Sequence, residues 1–165
     1  MEKGSINAVY AYKENPWKER MSSDADFSRF VLIHNYLKPH YLWNLAVKFP
    51  EHLKTIYQIM KLCVTIRYIN RQELCHICGS FYNDITTHIV LNCTLTEKVR
   101  DELWCCIINI SDIMFSVYLH SLSSDSLIHI LLGGPLEFEL SPEELESFRL
   151  SAVIIVWKMI KLYYP

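Results

Sequence analysis

Four side chains at metal-ligand spacing fall within residues 75–93: Cys75 and Cys78, then His88 after nine intervening residues, then Cys93 after four more. Three thiols and one imidazole at this spacing are a donor set for tetrahedral zinc, and they impose a local geometry that the rest of the fold must accommodate. A Cys-x-x-Cys turn bends the backbone so that both sulfurs reach about 2.3 Å from the metal, and Gly79 directly after it supplies the permissive dihedrals such turns need. A short helix opened by Asp84 or Thr86 carries His88. Cys93 lies about 140° further round a regular helix, so one uninterrupted helix cannot present both ligands. A stop at Asn92, which tolerates left-handed backbone, would return Cys93 to the metal.

With Cys75, Cys78, His88 and Cys93 all bound, the coordination sphere is closed, which predicts structural rather than catalytic zinc. His76 is a rival ligand, but it sits inside the turn, where side chains point away from the metal. The competing reading is a set of buried thiols beside a chance histidine. Three thiolates and one zinc ion leave about one net negative charge, which Arg71, Lys98 or Arg100 would offset from outside the ligand shell.

The remaining composition fits one core. The 165 residues are 51% apolar, enough for a single domain, and contain only four glycines, which rules out a glycine-rich phosphate cradle. The expected organisation is a loosely defined segment 1–22 followed by one helical domain over 23–165, with the zinc-binding segment 73–100 inserted. No apolar run reaches membrane-spanning length, and Met1-Glu-Lys-Gly4 does not open a secretory signal. An intracellular chain with reduced cysteines is therefore expected.

Apolar residues recur at helical spacing in most of the chain. A start at Ser23-Asp-Ala-Asp26 predicts a helix to about Leu37, stopped by Pro39. Trp43 and Val47 belong to a short segment, and Pro50 opens a helix to about Ile69 through Leu53, Ile56, Tyr57, Met60, Val64 and Tyr68. Thr94-Leu-Thr-Glu97 predicts a capping box for a helix with Val99, Leu103, Trp104, Ile107 and Ile108 inward. Ser123 or Ser124 starts another helix, closed by Gly133-Gly134, and Ser141-Pro-Glu-Glu144 starts the last, running to about Tyr163. The fold class is thus mainly α, with an inserted Cys-Cys-His-Cys turn and helix. Cys63, Cys105, Cys106, Trp43, Trp104 and Trp157 read as core residues. The carboxylate pairs Asp24/Asp26 and Glu143/Glu144 sit at helix starts, where they serve the dipole.

Charge is unevenly distributed. Residues 29–100 hold nine Lys and Arg against four acidic residues, whereas residues 101–165 hold three against nine. The basic stretch brackets the predicted zinc site. It reads either as a nucleic-acid-binding surface, with Arg67, Arg71, Lys98 and Arg100 on phosphates, or as solvated helix faces of a protein-interaction or structural domain. Phe81 and Tyr82, between the ligand pairs, would either stack on unpaired bases or pack on the metal turn.

Trp43 and Pro50, a helix ending in a basic stretch near Arg67, Cys75-x-x-Cys78-Gly79, Asp84-Ile-Thr-Thr-His88-Ile-Val-Leu-Asn-Cys93 and Arg100-Asp-Glu-Leu-Trp104 together resemble the zinc-binding region of LINE-type (non-LTR) retrotransposon reverse transcriptases. The resemblance covers about residues 40–135 and is most specific from Cys75 to Trp104. It implies an accessory module that holds template RNA or target DNA, working with a parent or companion reverse transcriptase. The polymerase signature Tyr-x-Asp-Asp, an endonuclease domain and the ribonuclease H carboxylates are missing from these residues, so the resemblance implies no enzyme activity here. The spacing between Cys78 and His88 is longer than in the retroviral zinc knuckle, so knuckle-style binding of single strands is not implied.

Overall fold

The computed structural model describes Glu19, residues 40–65 and residues 72–164, and is mostly helical. The predicted helix over 23–37, Arg67, Arg71 and the Cys63 side chain lie outside the described residues. Helix α1 (Tyr41–Lys48) starts at His40, whose Nδ1 accepts from the backbone N–H of Leu42 at 3.2 Å. Its inward residues are Leu42, Leu45 and Ala46, spaced as one helical face. Trp43 and Val47 consequently point the other way, and Trp43 is 50% exposed rather than a core anchor. Pro50 opens a 3₁₀ turn (Pro50–His52) leading into α2 (Leu53–Thr65), which buries Ile56 and Ile59 and leaves Leu53 and Tyr57 exposed.

Two short strands follow, β1 (Glu73–Leu74) and β2 (Phe81–Tyr82), paired antiparallel with Glu73 opposite Tyr82 and Leu74 opposite Phe81. Beyond them come α3 (Ile85–Thr87), a π-helical turn (His88–Asn92) and a 3₁₀ turn (Thr94–Thr96). Helices α4 (Glu97–Ile110), α5 (Ile113–Ser121), α6 (Ser124–Leu131) and α7 (Pro142–Tyr163) complete the described chain. The sequence does not announce α5 because it is apolar on several sides: Phe115 and Leu119 are buried while Ile113, Met114 and Val117 are exposed. Its start does obey capping chemistry, Asp112 accepting from Phe115 N–H at 3.1 Å.

Helix α7 organises the molecule. Its first turn has the predicted capping box, the Ser141 hydroxyl accepting from Glu144 N–H while the Glu144 carboxylate accepts from Ser141 N–H at 2.8 Å. From there Phe148, Ala152, Val153, Ile155, Val156, Met159, Ile160 and Tyr163 form its buried side. The most extensive pairing is with α4, and α2, the π turn and the following 3₁₀ turn also pack on it. Phe148 meets Phe115 edge to face, with centroids 5.1 Å apart. Each such buried side chain contributes about 1.5–3 kcal/mol relative to exposure. Lys48–Glu146 ties α1 to α7 and Lys158–Glu102 ties α4 to α7. No helix among the described residues is long and apolar enough to cross a membrane.

Candidate metal centre

The hairpin builds the first half of the site. Between β1 and β2 the chain folds back through Cys75 N–H to Ser80 O and Gly79 N–H to Cys75 O, both 2.9 Å. Gly79 takes φ +72°, the left-handed conformation that the sequence assigns to it, with open space where a Cβ would stand. The second half starts at Asp84, whose carboxylate caps α3 by accepting from the N–H groups of Thr86 and Thr87 and from the Thr87 hydroxyl.

His88 then enters the π turn, and the need for a helix break is met differently from the expectation. Asn92 is a member of the turn, closed by Cys93 N–H to His88 O at 2.7 Å, and the chain becomes extended only at Cys93 (φ −67°, ψ 133°). An i→i+5 bond widens the helix, so the two ligands five residues apart come round to the same side. One atom from each of Cys75, Cys78, His88 and Cys93 thereby lies within 4.8 Å of all the others. Cys78 Sγ and His88 Nε2 are 3.4 Å apart. Cys75, His88 and Cys93 are at most 2% exposed, while Cys78 is partly exposed. These four residues can hold a metal ion. His76 is exposed and stands outside the cluster, which favours His88 as the sequence does.

Widening the turn releases backbone carbonyls, and α4 satisfies them. The Thr96 hydroxyl shares its one proton between Ile89 O and, at 3.1 Å, Cys93 O. Arg100 donates from Nη1 to Val90 O at 3.3 Å and from Nη2 to Cys93 O at 3.1 Å. The predicted capping box at Thr94–Glu97 is therefore replaced by a 3₁₀ turn, with Thr96 as a cap whose side chain reaches back to the ligand turn. Arg100 is likewise a backbone-binding residue beside the centre, in keeping with the charge-offsetting role. Lys98 is exposed on the first turn of α4.

Two tyrosines flank the cluster, and a third packs on one of them. Tyr82 stacks on His88 with ring centroids 5.0 Å apart and 21° between planes, and its hydroxyl donates to Glu73 at 3.0 Å. It therefore packs on the metal turn, whereas Phe81 is 68% exposed. Burial, then the Glu73 carboxylate, pushes the Tyr82 phenol up to about 12. Tyr163, at the end of α7, places its hydroxyl 3.4 Å from Cys75 Sγ and its ring edge toward His88 and His76. Tyr164 meets the Tyr163 ring at 73° and is itself exposed. Burial is the largest influence on the Cys75 thiol and opposes its ionisation. The Tyr163 hydroxyl, the N–H groups of Cys78 and Ile77 and the His88 ring together outweigh it, lowering the thiol to about 5. Burial pushes the Cys93 thiol up, and also raises the Tyr163 phenol, which stays protonated.

Of the other cysteines whose side chains are described, Cys105 is exposed and departs from the expected core, whereas Cys106 is half-buried and packs against it. Trp104 is half-buried against His120, with centroids 3.9 Å apart, and Trp157 is half-buried under Lys161. A groove of about 430 Å³ runs beside the centre, lined by residues that include Phe81, Asn83, Asn92, Asp84 and Asp125 and no lysine or arginine. Compared with protein-family models, curated proteins and solved structures, the chain matches none.

Proposed function

We propose that this chain is a zinc-stabilised accessory module that binds nucleic acid. The observation that carries the zinc assignment is the convergence of three sulfurs and one imidazole nitrogen within 4.8 Å. Thiolate-rich tetrahedral sets with imidazole suit zinc, whereas hard cations such as magnesium and calcium prefer oxygen donors. Zinc bound there would supply fold stability, linking the hairpin to the π turn. Four protein ligands leave no open position for an activated water, so zinc bound there would be structural and not catalytic.

Nucleic-acid binding rests on the resemblance to the zinc-binding region of non-LTR retrotransposon reverse transcriptases, with template RNA or target DNA as its ligand. Lys98 is exposed beside the centre, and Arg67 and Arg71 lie just before the hairpin in sequence. Exposed Phe81 offers a stacking ring. The Asp84 and Asp125 carboxylates in the adjoining groove would repel phosphate, so the reading puts the contacts outside it. Affinity for single-stranded RNA across a salt series tests this reading. Three phosphate contacts give a log–log slope of about −2 for single strands, reduced by Arg67→Ala and Arg71→Ala. A flat, weak response contradicts it and favours a zinc-stabilised protein-interaction domain, a reading to which the exposed Ile113, Met114 and Val117 of α5 lend support.

A further inference from the structure

The zinc ligands are local in sequence, but one of their closest side-chain neighbours is not. Tyr163 lies 88 residues beyond Cys75, is 4% exposed, and directs its hydroxyl at the Cys75 sulfur from 3.4 Å. Its ring crosses the rings of His88 and His76 nearly edge-on, at 81° and 67°. The π turn that carries His88 and the 3₁₀ turn after Cys93 both rest on the same helix. The end of α7 is thus one wall of the metal centre.

We infer that Tyr163 is a positioning residue for the metal: its hydroxyl donates a hydrogen bond to the metal-bound Cys75 thiolate, strengthening the centre and fastening α7 to it. A sulfur bound to a cation still carries lone pairs and excess negative charge, and a donor aimed at it stabilises the thiolate form. Partners of this kind outside the ligand shell typically alter metal affinity by about 10- to 100-fold. The inference rests on the zinc assignment and extends it to a residue that ligand spacing does not single out. Among the three sulfurs, Cys75 has this hydroxyl donor, so the effect is specific to one thiolate.

Cobalt(II) titration of the full chain tests the inference, because the thiolate-to-cobalt charge-transfer band reports the energy of the sulfur lone pairs. Tyr163→Phe keeps the ring and deletes the donor. The band is expected to move to longer wavelength and zinc affinity to fall by about tenfold. Tyr164→Phe, which alters an exposed neighbour, leaves both unchanged. Site-specific 3-fluorotyrosine at position 163 keeps the shape, makes the phenol a stronger donor and moves the band to shorter wavelength, so the inference remains testable should Tyr163→Phe fold poorly. A normal wild-type band that neither replacement moves overturns the role of Tyr163 alone. Wild-type protein that gives no charge-transfer band overturns the metal centre, and the role of Tyr163 with it.

Discussion

A guanidinium carries its donors in a fixed fork, and Arg100 divides that fork between the carbonyls of Val90 and Cys93. Charge-assisted hydrogen bonds of this kind contribute about 1.5–3 kcal/mol, and their loss strands two carbonyls beside the ligand turn. Arg100→Ala is therefore expected to destabilise the zinc-loaded protein by about that amount in urea unfolding, with Arg100→Lys recovering only part because an ammonium cannot fork. RNA affinity should be unchanged. Unaltered stability with weakened RNA binding would restore the phosphate role that sequence assigned to this arginine. The Cys75, Cys78, His88 and Cys93 cluster was legible because cysteine and histidine spacing is local. The backbone partners of Arg100 were not legible because composition reports a charge and not its direction, and Tyr163 was missed because no spacing rule joins residues so far apart.

Helix boundaries followed the capping residues closely. Ser141 and Glu144 form the predicted box, and Ser123 accepts from Ser126 N–H at 3.2 Å. The Gly133-Gly134 closure of α6 is a Schellman motif, with Gly134 N–H on His129 O at 2.6 Å and Gly133 N–H on Ile130 O at 3.0 Å. Gly133 takes φ +107°, and a Cβ there would stand 1.8 Å from Tyr41 Cε1, inside a ring that is also covered by Arg149. At Gly79 the added Cβ meets open space and only the left-handed conformation is strained. Gly79→Ala should therefore cost about 1–2 kcal/mol, and Gly133→Ala distinctly more, as read from the two thermal melts. Equal costs would mean that α1 yields freely to the new methyl group. What the patterns could not reveal was the device joining α3 to α4. The 140° mismatch between His88 and Cys93 demanded a departure from the regular helix, but a left-handed residue and a widened turn satisfy it equally on paper. The choice depends on Thr96 and Arg100 being in place to take the released carbonyls. Trp43 was misplaced because aliphatic neighbours in sequence do not say which face of the helix is covered.

At the scale of the molecule, the centre stands where the hairpin, the ligand turn and the end of α7 meet. Buried Cys75 and Cys93 belong to the same core as Val156, Met159 and Tyr163. Zinc bound in that position, as we propose, would stabilise long-range contacts as well as its own loop, and structural zinc contributes on the order of 10 kcal/mol or more to the segment it binds. The mainly helical fold was legible from apolar spacing and caps, since most of the helices, α5 excepted, announce themselves locally. The dependence of α7 on a site far behind it in sequence belongs to the packing. The most direct test of this account is the metal content of purified wild-type and Cys78→Ser protein, determined by elemental mass spectrometry alongside their thermal unfolding. The account predicts one zinc per wild-type chain, none retained by Cys78→Ser, and loss of cooperative folding over at least residues 73–100 in the variant. Wild-type protein free of zinc, with a variant that melts like its parent, would contradict it.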